Sequence, residues 1–164
     1  MNYNFIFIHK GNQDYFKTAL KQAKKTNPES KIIVIGDSYD KKIKGVDFYD
    51  INSFNLSFSK IYKHYSKNQY NFELFCFQRW FILKEFMINS KLDFVFACDS
   101  DLMIFEDLSK YINIYKKYLA GICMCEYQEN YRWSASGHIS FWTLEGIIKF
   151  CDFLIEYYTT DKIK

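Results

Sequence analysis

Two carboxylates, Asp99 and Asp101, stand two residues apart where the apolar run Phe94-Val95-Phe96-Ala97-Cys98 gives out. On an extended segment residues i and i+2 point to the same side, so the spacing predicts side chains that converge at the end of a buried strand. Like charges so placed repel, and burial raises the cost. A hard divalent cation, Mn²⁺ or Mg²⁺, relieves that repulsion, and such an ion completes its shell with substrate phosphates and water. The expected ligand is therefore a metal-bound diphosphate. A bare Asp-x-Asp recurs by chance and can be two acids in a turn that caps a helix. The hydrophobic strand in front makes this one informative, because ligands of open α/β sheets bind beyond the carboxyl ends of the strands.

The elements that must position this motif follow from the apolar periodicity. Residues 4–9 form a short, nearly continuous apolar run ending at Lys10-Gly11, which predicts a buried parallel strand. From Asp14 the period changes: Tyr15, Phe16, Ala19, Leu20 and Ala23 make one helical face, and Pro28 closes the helix. Residues 31–35 predict a second buried strand, ending at Gly36-Asp37-Ser38, and 46–51 a third, shorter one. Strand, helix, strand at this spacing begins a parallel α/β sheet. Residues 52–70 predict loop plus a short helix.

Residues 73–89 predict a helix with almost no polar side, buried on most of its circumference. At ~100° per residue Gln78 and Glu85 share one side. Arg79 falls among Phe75, Ile82, Leu83 and Phe86, where a guanidinium needs an anionic partner. An amphipathic helix is expected over 106–119 with Asp107 as its N-cap, then a strand over 121–125, a loop over 131–137 and a strand over 138–142. Thr143 is expected to cap a last helix reaching about Tyr158. There is no internal repeat, low-complexity tract or linker, so the 164 residues predict a single domain.

Composition bounds the function. Hydrophobic residues make up 49% of the chain, which excludes a disordered one. The aromatic share of 21%, alongside abundant Ile, Lys and Asn, suggests AT-rich coding and is not read as a ligand platform. A net charge of +3 would help draw in an anionic small molecule but is far from a nucleic-acid footprint. The five cysteines form no Cys-x-x-Cys pair, and most lie in apolar runs, so zinc is not expected and a reducing cytoplasm fits. Met1 leads directly into a β-like run, so no signal peptide is expected. No stretch approaches the ~18 apolar residues of a spanning helix, which leaves only peripheral membrane contact.

With these elements in order, the chain resembles GT-A glycosyltransferases, whose Asp-x-Asp motif follows a hydrophobic strand and holds the metal on a nucleotide-sugar diphosphate. The N-terminal strand-helix-strand unit is similar to that family's nucleotide-binding half. The helix carrying Gln78-Arg79-Trp80 is similar to one many members place just upstream of the motif. Ser136-Gly137-His138-Ile139-Ser140-Phe141-Trp142 resembles the family's Ser-Gly, strand, helix element. The resemblance implies a mostly parallel sheet flanked by helices, in a Rossmann-like nucleotide-diphospho-sugar transferase architecture. It also implies transfer from a nucleoside-diphosphate sugar, a UDP-sugar being expected, to a carbohydrate or glycolipid acceptor.

Carried over by the resemblance, Asp101 is a direct metal ligand, and Asp99 contacts the ribose or shares the metal. His9 or Lys10, and Asp37, lie near the base and ribose. Arg79 reaches the diphosphate or holds a motif aspartate, and Gly137 and His138 line the donor sugar. Each has a structural alternative: His9 a strand-end residue, Asp37 a turn former, Arg79 a partner of Glu85 or Asp93, Gly137 a glycine that lets the chain turn.

GT-A domains with their acceptor part are usually longer than this chain, so part of the C-terminal acceptor region is expected to be lacking. Of the later acids, Glu126, Glu129 and Glu145, none has the context of a catalytic base. A haloacid-dehalogenase-type phosphatase would want Thr where Met103 stands, and a nucleotidylyltransferase or P-loop enzyme a Gly-rich loop after the first strand. The non-enzyme alternative is a truncated or degenerate transferase domain, binding a nucleotide or assembling through Trp80, Trp133, Trp142 and the tyrosines.

Overall fold

The computed structural model describes residues 3–38, 43–124 and 135–160. Strands β1 (Asn4–His9), β2 (Lys31–Gly36) and β4 (Phe94–Cys98) are the apolar runs of the sequence, and nearly every residue in them is buried. They lie in the middle of a six-stranded sheet with the shorter β3 (Val46–Asp50), β5 (Ala120–Met124) and β6 (Ala135–Thr143), in the order β3-β2-β1-β4-β6-β5. The first four strands in this order are parallel. β6 runs antiparallel to β4, and β5 antiparallel to β6. The sheet is thus mostly parallel and flanked by helices, an α/β fold.

Alternation along the strands builds a separate core on each face. Phe5 and Phe7 of β1, with Phe94 and Phe96 of β4, pack under Phe16, Leu20 and Ala23 of α1 (Asp14–Thr26). Ile6, with Val95 and Ala97, faces the other way, onto α2 (Tyr70–Asn89) and α4 (Leu144–Thr159). Because the sheet lies on one side of α2 and α4 on another, α2 carries apolar residues nearly all round. It begins three residues earlier than the pattern predicts, at Tyr70.

The sequence is misleading over 106–119. In place of one amphipathic helix there is a 3₁₀ turn, Leu108–Tyr111, and a single helical turn, α3 (Ile112–Tyr115). Asp107 does cap, accepting from the Ser109 amide. What stops a longer helix is the end of α1. Thr26 donates to the Ile104 carbonyl at 2.8 Å, and the fully buried Asn27 donates to the Glu106 carbonyl and accepts from the Leu108 amide. At the far end, Leu119 must lie beside β6, where its carbonyl accepts both the Thr143 amide and the Thr143 hydroxyl. Residues 51–69 are loop with two short 3₁₀ helices, Ile51–Ser53 and Ser57–Lys60, in keeping with the loop and short helix expected there.

Thr143 caps α4 as expected, accepting from the Gly146 amide at 3.0 Å. A Cβ on Gly146 would lie 2.1 Å from the Leu119 carbonyl oxygen, a backbone atom that cannot swing away. Gly146→Ala is therefore expected to destabilise the protein. Alanine's helix-propensity advantage of about 1 kcal/mol is outweighed by an overpacking cost of roughly 1–3 kcal/mol or more against rigid backbone. Urea unfolding checks this: the midpoint should fall at an unchanged slope, and an equal or higher midpoint would show that the β5 end of the sheet yields.

Candidate functional site

In the parallel half of the sheet β1 is the turning point of the strand order. From it the chain winds outward through β2 to β3, then returns to place β4 on the opposite side. Open α/β sheets bind ligands at such a reversal, beyond the carboxyl ends of the two adjoining strands. Here those ends are His9 of β1 and Cys98-Asp99 of β4. Gly36-Asp37 ends the next strand at the same edge, and the start of β6 enters there too, the Asp99 amide donating to the His138 carbonyl at 2.7 Å. The fold therefore gathers His9, Asp37, Asp99, Asp101, Gly137 and His138 along one edge.

Asp99 is the first residue beyond β4, and alternation from Val95 and Ala97 aims it at the α2 face. There Arg79 meets it in an ion pair. The guanidinium that the helix pattern left without a partner thus takes Asp99. Glu85, one of the alternatives, instead accepts the Asn55 amide at 2.9 Å. The Arg79 guanidinium also lies 4.5 Å from the Trp80 ring. Its Nε is buried with no hydrogen-bond partner among the described residues.

Asp101 lies in a different setting. The Leu102 amide donates to the Asp99 carbonyl at 3.2 Å, so residues 99–102 turn instead of running on extended. The strand argument for same-side carboxylates does not hold, because the strand ends at Cys98. Asp101 is exposed. Arg79 already neutralises Asp99, so the mutual repulsion of the two acids is partly relieved within the chain itself. Among the described residues no group of three or more His, Cys, Asp or Glu side chains is arranged to hold a metal. At most the two motif acids would contribute ligands.

His9 is 6% exposed, its ring 4.4 Å from that of Phe16. Burial pushes its imidazole below the ordinary value, against the opposing pull of Gln13, Asp37 and Asp101. Its Nε2 is buried without a hydrogen-bond partner among the described residues. Asp37 is exposed and accepts the Gly11 amide at 2.8 Å, which ties the β2 end to the loop after β1. That loop turns at Gly11 with φ +102°, a conformation that favours glycine. The Lys10 ammonium lies 4.7 Å from the Phe75 ring on α2.

Gly137 sits within β6, one residue of the predicted loop that is in fact strand. A Cβ there would approach the Trp80 ring to 2.9 Å and the Arg79 guanidinium to 3.1 Å, so the glycine makes room for the side chains that hold Asp99. With Ile6, Ile8, Cys98 and Asp99 they enclose a narrow hollow at this edge. His138 is half-buried, its Nδ1 2.5 Å from the Ser136 hydroxyl. Burial keeps the Cys98 thiol protonated, an apolar filler as the sequence implied. Trp80 and Trp142 are buried against each other at 5.3 Å, so they offer no exposed assembly surface. Cys125, Glu126, Glu129 and Trp133 lie outside the described residues.

Sequence reasoning missed Gly36 and Trp80 at this edge. A Cβ on Gly36 would lie 2.9 Å from the His9 carbonyl. The signal was a glycine directly ending an apolar run.

No protein-family model matches the chain, and no curated protein matches it in sequence. Solved structures match its shape. GlyE, a glycosyltransferase of Streptococcus pneumoniae TIGR4, corresponds over 96% of this chain and 38% of its own length, at 17% identity and TM-score 0.58. Mouse xyloside xylosyltransferase 1 corresponds over 96% of this chain and 76% of its own, at 8% identity and TM-score 0.63. The bifunctional IspDF of Campylobacter jejuni corresponds over 88% of this chain and 42% of its own, at 12% identity and TM-score 0.53. The chain has the α/β fold of these glycosyltransferases, and it spans well under half the length of GlyE. IspDF shares the shape too, so shape alone does not select the chemistry.

The Arg79–Asp99 side chains are 21% and 32% exposed. The pair is thus neither a surface contact worth under about 1 kcal/mol nor a fully buried one whose breakage costs roughly 3–5 kcal/mol. A double-mutant cycle with Arg79→Met and Asp99→Asn is expected to give a coupling of about 1–2 kcal/mol in urea unfolding. Additive single effects would mean that the pair contributes nothing to the folded edge.

Proposed function

We propose that this chain is the donor-binding part of a GT-A-type glycosyltransferase, moving a sugar from a nucleoside-diphosphate sugar to a carbohydrate acceptor. The observation that supports this reading most is the pairing of a held acid with a free one. Asp99 is fixed by Arg79, while Asp101 stands exposed two residues on, beside the β1/β4 reversal of a glycosyltransferase-like fold.

The donor set suits a hard divalent cation shared with a substrate. Mg²⁺ and Mn²⁺ bind through one or two carboxylates and take phosphate oxygens and water for the remainder. Asp101 would be the direct ligand, with Asp99 sharing the ion or accepting from the ribose. When bound, such an ion supplies Lewis-acid neutralisation of the charge that builds on a leaving diphosphate. The chain's own residues bind and orient. Arg79 holds Asp99 in place and adds positive charge at this edge. His9, with an unpartnered Nε2, and Asp37 stand on the side where a nucleoside would lie. Gly137 and His138 close the edge from β6. A UDP-sugar is the expected donor.

The second reading is a domain that binds a nucleotide without turnover. Glu145, in the first turn of α4, is engaged by Lys149 at 2.6 Å, one turn on. It is not aimed at the carboxyl edge as a base would be.

Isothermal calorimetry with UDP tests the reading. Binding is expected in the presence of Mn²⁺, lost on chelation, and weakened at least tenfold, about 1.4 kcal/mol, by Asp101→Ala. Equal affinity without metal or in the variant contradicts it. Hydrolysis of a UDP-sugar panel by the same protein separates an active transferase from the binding-only reading.

A further inference from the structure

A second cleft lies on the outer side of the α2–α4 layer. Its residue Glu73 precedes Arg79 by six positions on α2, about 9 Å along the axis. The cleft measures about 360 Å³, and its lining is mostly aromatic, from the loop before α2, from α2 itself and from the last turns of α4. Tyr158 and Tyr62 form a buried floor, 5% and 8% exposed, with ring centroids 5.5 Å apart. Two rings stand nearly upright on Tyr158: Phe77 at 5.6 Å and 76°, and Tyr157 at 5.6 Å and 77°. Tyr65 opens the rim at 59% exposure, 6.4 Å from Tyr158.

Glu73 brings the one carboxylate among the lining residues, held by an Asn68 amide at 2.8 Å. Burial chiefly, with Tyr62, Tyr157 and Glu73 adding to it, pushes the Tyr158 phenol up to about 12, and burial raises Tyr62 as well. The floor therefore stays uncharged at neutral pH. Ring faces carry the negative lobe of the aromatic quadrupole, and here six aromatic side chains line the cleft beside a full negative charge. Cation–π contacts occur elsewhere, as Lys10 over Phe75 and Lys84 over Phe81. Among the described residues no cation of the chain lies over the rings of this cleft.

We propose that this cleft binds an organic cation, an ammonium head group seated in the corner of Tyr158, Phe77 and Tyr157 with Glu73 as counter-ion. A sugar ring asks for one flat, open face to stack on. Rings set at steep angles to a common floor instead suit a compact, near-spherical cation, and aromatic cages hold quaternary ammonium groups. The site is separate from the carboxyl edge and does not depend on the transfer reaction.

The test is an NMR titration with choline and with 3,3-dimethylbutan-1-ol, its uncharged isostere. Saturable shifts confined to residues of the cleft are expected for choline, at least tenfold tighter than for the neutral alcohol. Glu73→Gln, which keeps an acceptor for Asn68, and Tyr157→Leu, at an exposed ring, should each weaken choline at least fivefold with an unchanged thermal midpoint. Equal binding of the isostere would reduce the cleft to an apolar one and overturn the proposal. So would the absence of saturable choline shifts, or a methyl glycoside shifting the same resonances in place of choline.

Discussion

A guanidinium on an almost wholly apolar helix is stable only if an anion meets it, and in this protein the anion is Asp99. That constraint ties the site to the fold. α2 cannot rest on the sheet unless Arg79 reaches the carboxyl edge, and the parity of β4 brings the first acid of the motif to the face where α2 lies. Gly137 makes the pairing possible from the opposite side, since a side chain on β6 would displace Trp80 and the guanidinium. The His138 carbonyl then fixes the Asp99 backbone. With the Asp99 side chain held by Arg79 and its amide by the His138 carbonyl, the chain turns at once and leaves Asp101 in solvent. One acid is structural and poised, and the other is open to a ligand.

Most of the sheet was legible because its strands are buried on both faces and read as unbroken apolar runs: Phe5-Ile6-Phe7, Ile32-Ile33-Val34-Ile35 and Phe94-Val95-Phe96-Ala97 admit no other placement in a chain this short. The two-faced burial of α2 was legible for the same reason. What the pattern could not show were the places where backbone geometry overrides periodicity. Residues 106–119 have a helical pattern, yet the carbonyls of Ile104 and Glu106 are claimed by Thr26 and Asn27, and the helix shrinks to one turn. Asp99-Ser100-Asp101 has the spacing of an extended pair, yet the chain turns there. The first depends on partners far away in sequence, the second on a turn closed by the Leu102 amide. The candidate residues stand out in the sequence through their carboxylates and strand ends. The glycines that admit the close contacts, Gly36 and Gly137, show their purpose only when the neighbouring atoms are known.

The α2–α4 layer takes part in two separate places on the molecule. The inner side of α2 positions the acid at the carboxyl edge, where the strand order reverses and where related folds present their ligand crevices. Its outer side, with the end of α4, gathers aromatic rings into a cleft that the high aromatic content of the sequence did not locate. The same helix thus links the edge where Arg79 pairs with Asp99 to the aromatic cleft that Glu73 borders. Charge separates the two sites more clearly than shape does.

The proposed function requires a divalent ion, shared with a nucleoside diphosphate, beside Asp101. Paramagnetic relaxation by Mn²⁺ locates such an ion directly. With UDP present, amide signals of residues 9–11, 36–37, 99–102 and 137–138 should broaden first, while those of α1 and the last turns of α4 stay sharp. Broadening centred on another part of the surface, or spread evenly over the exposed acids, would contradict the assignment of this edge as the donor site.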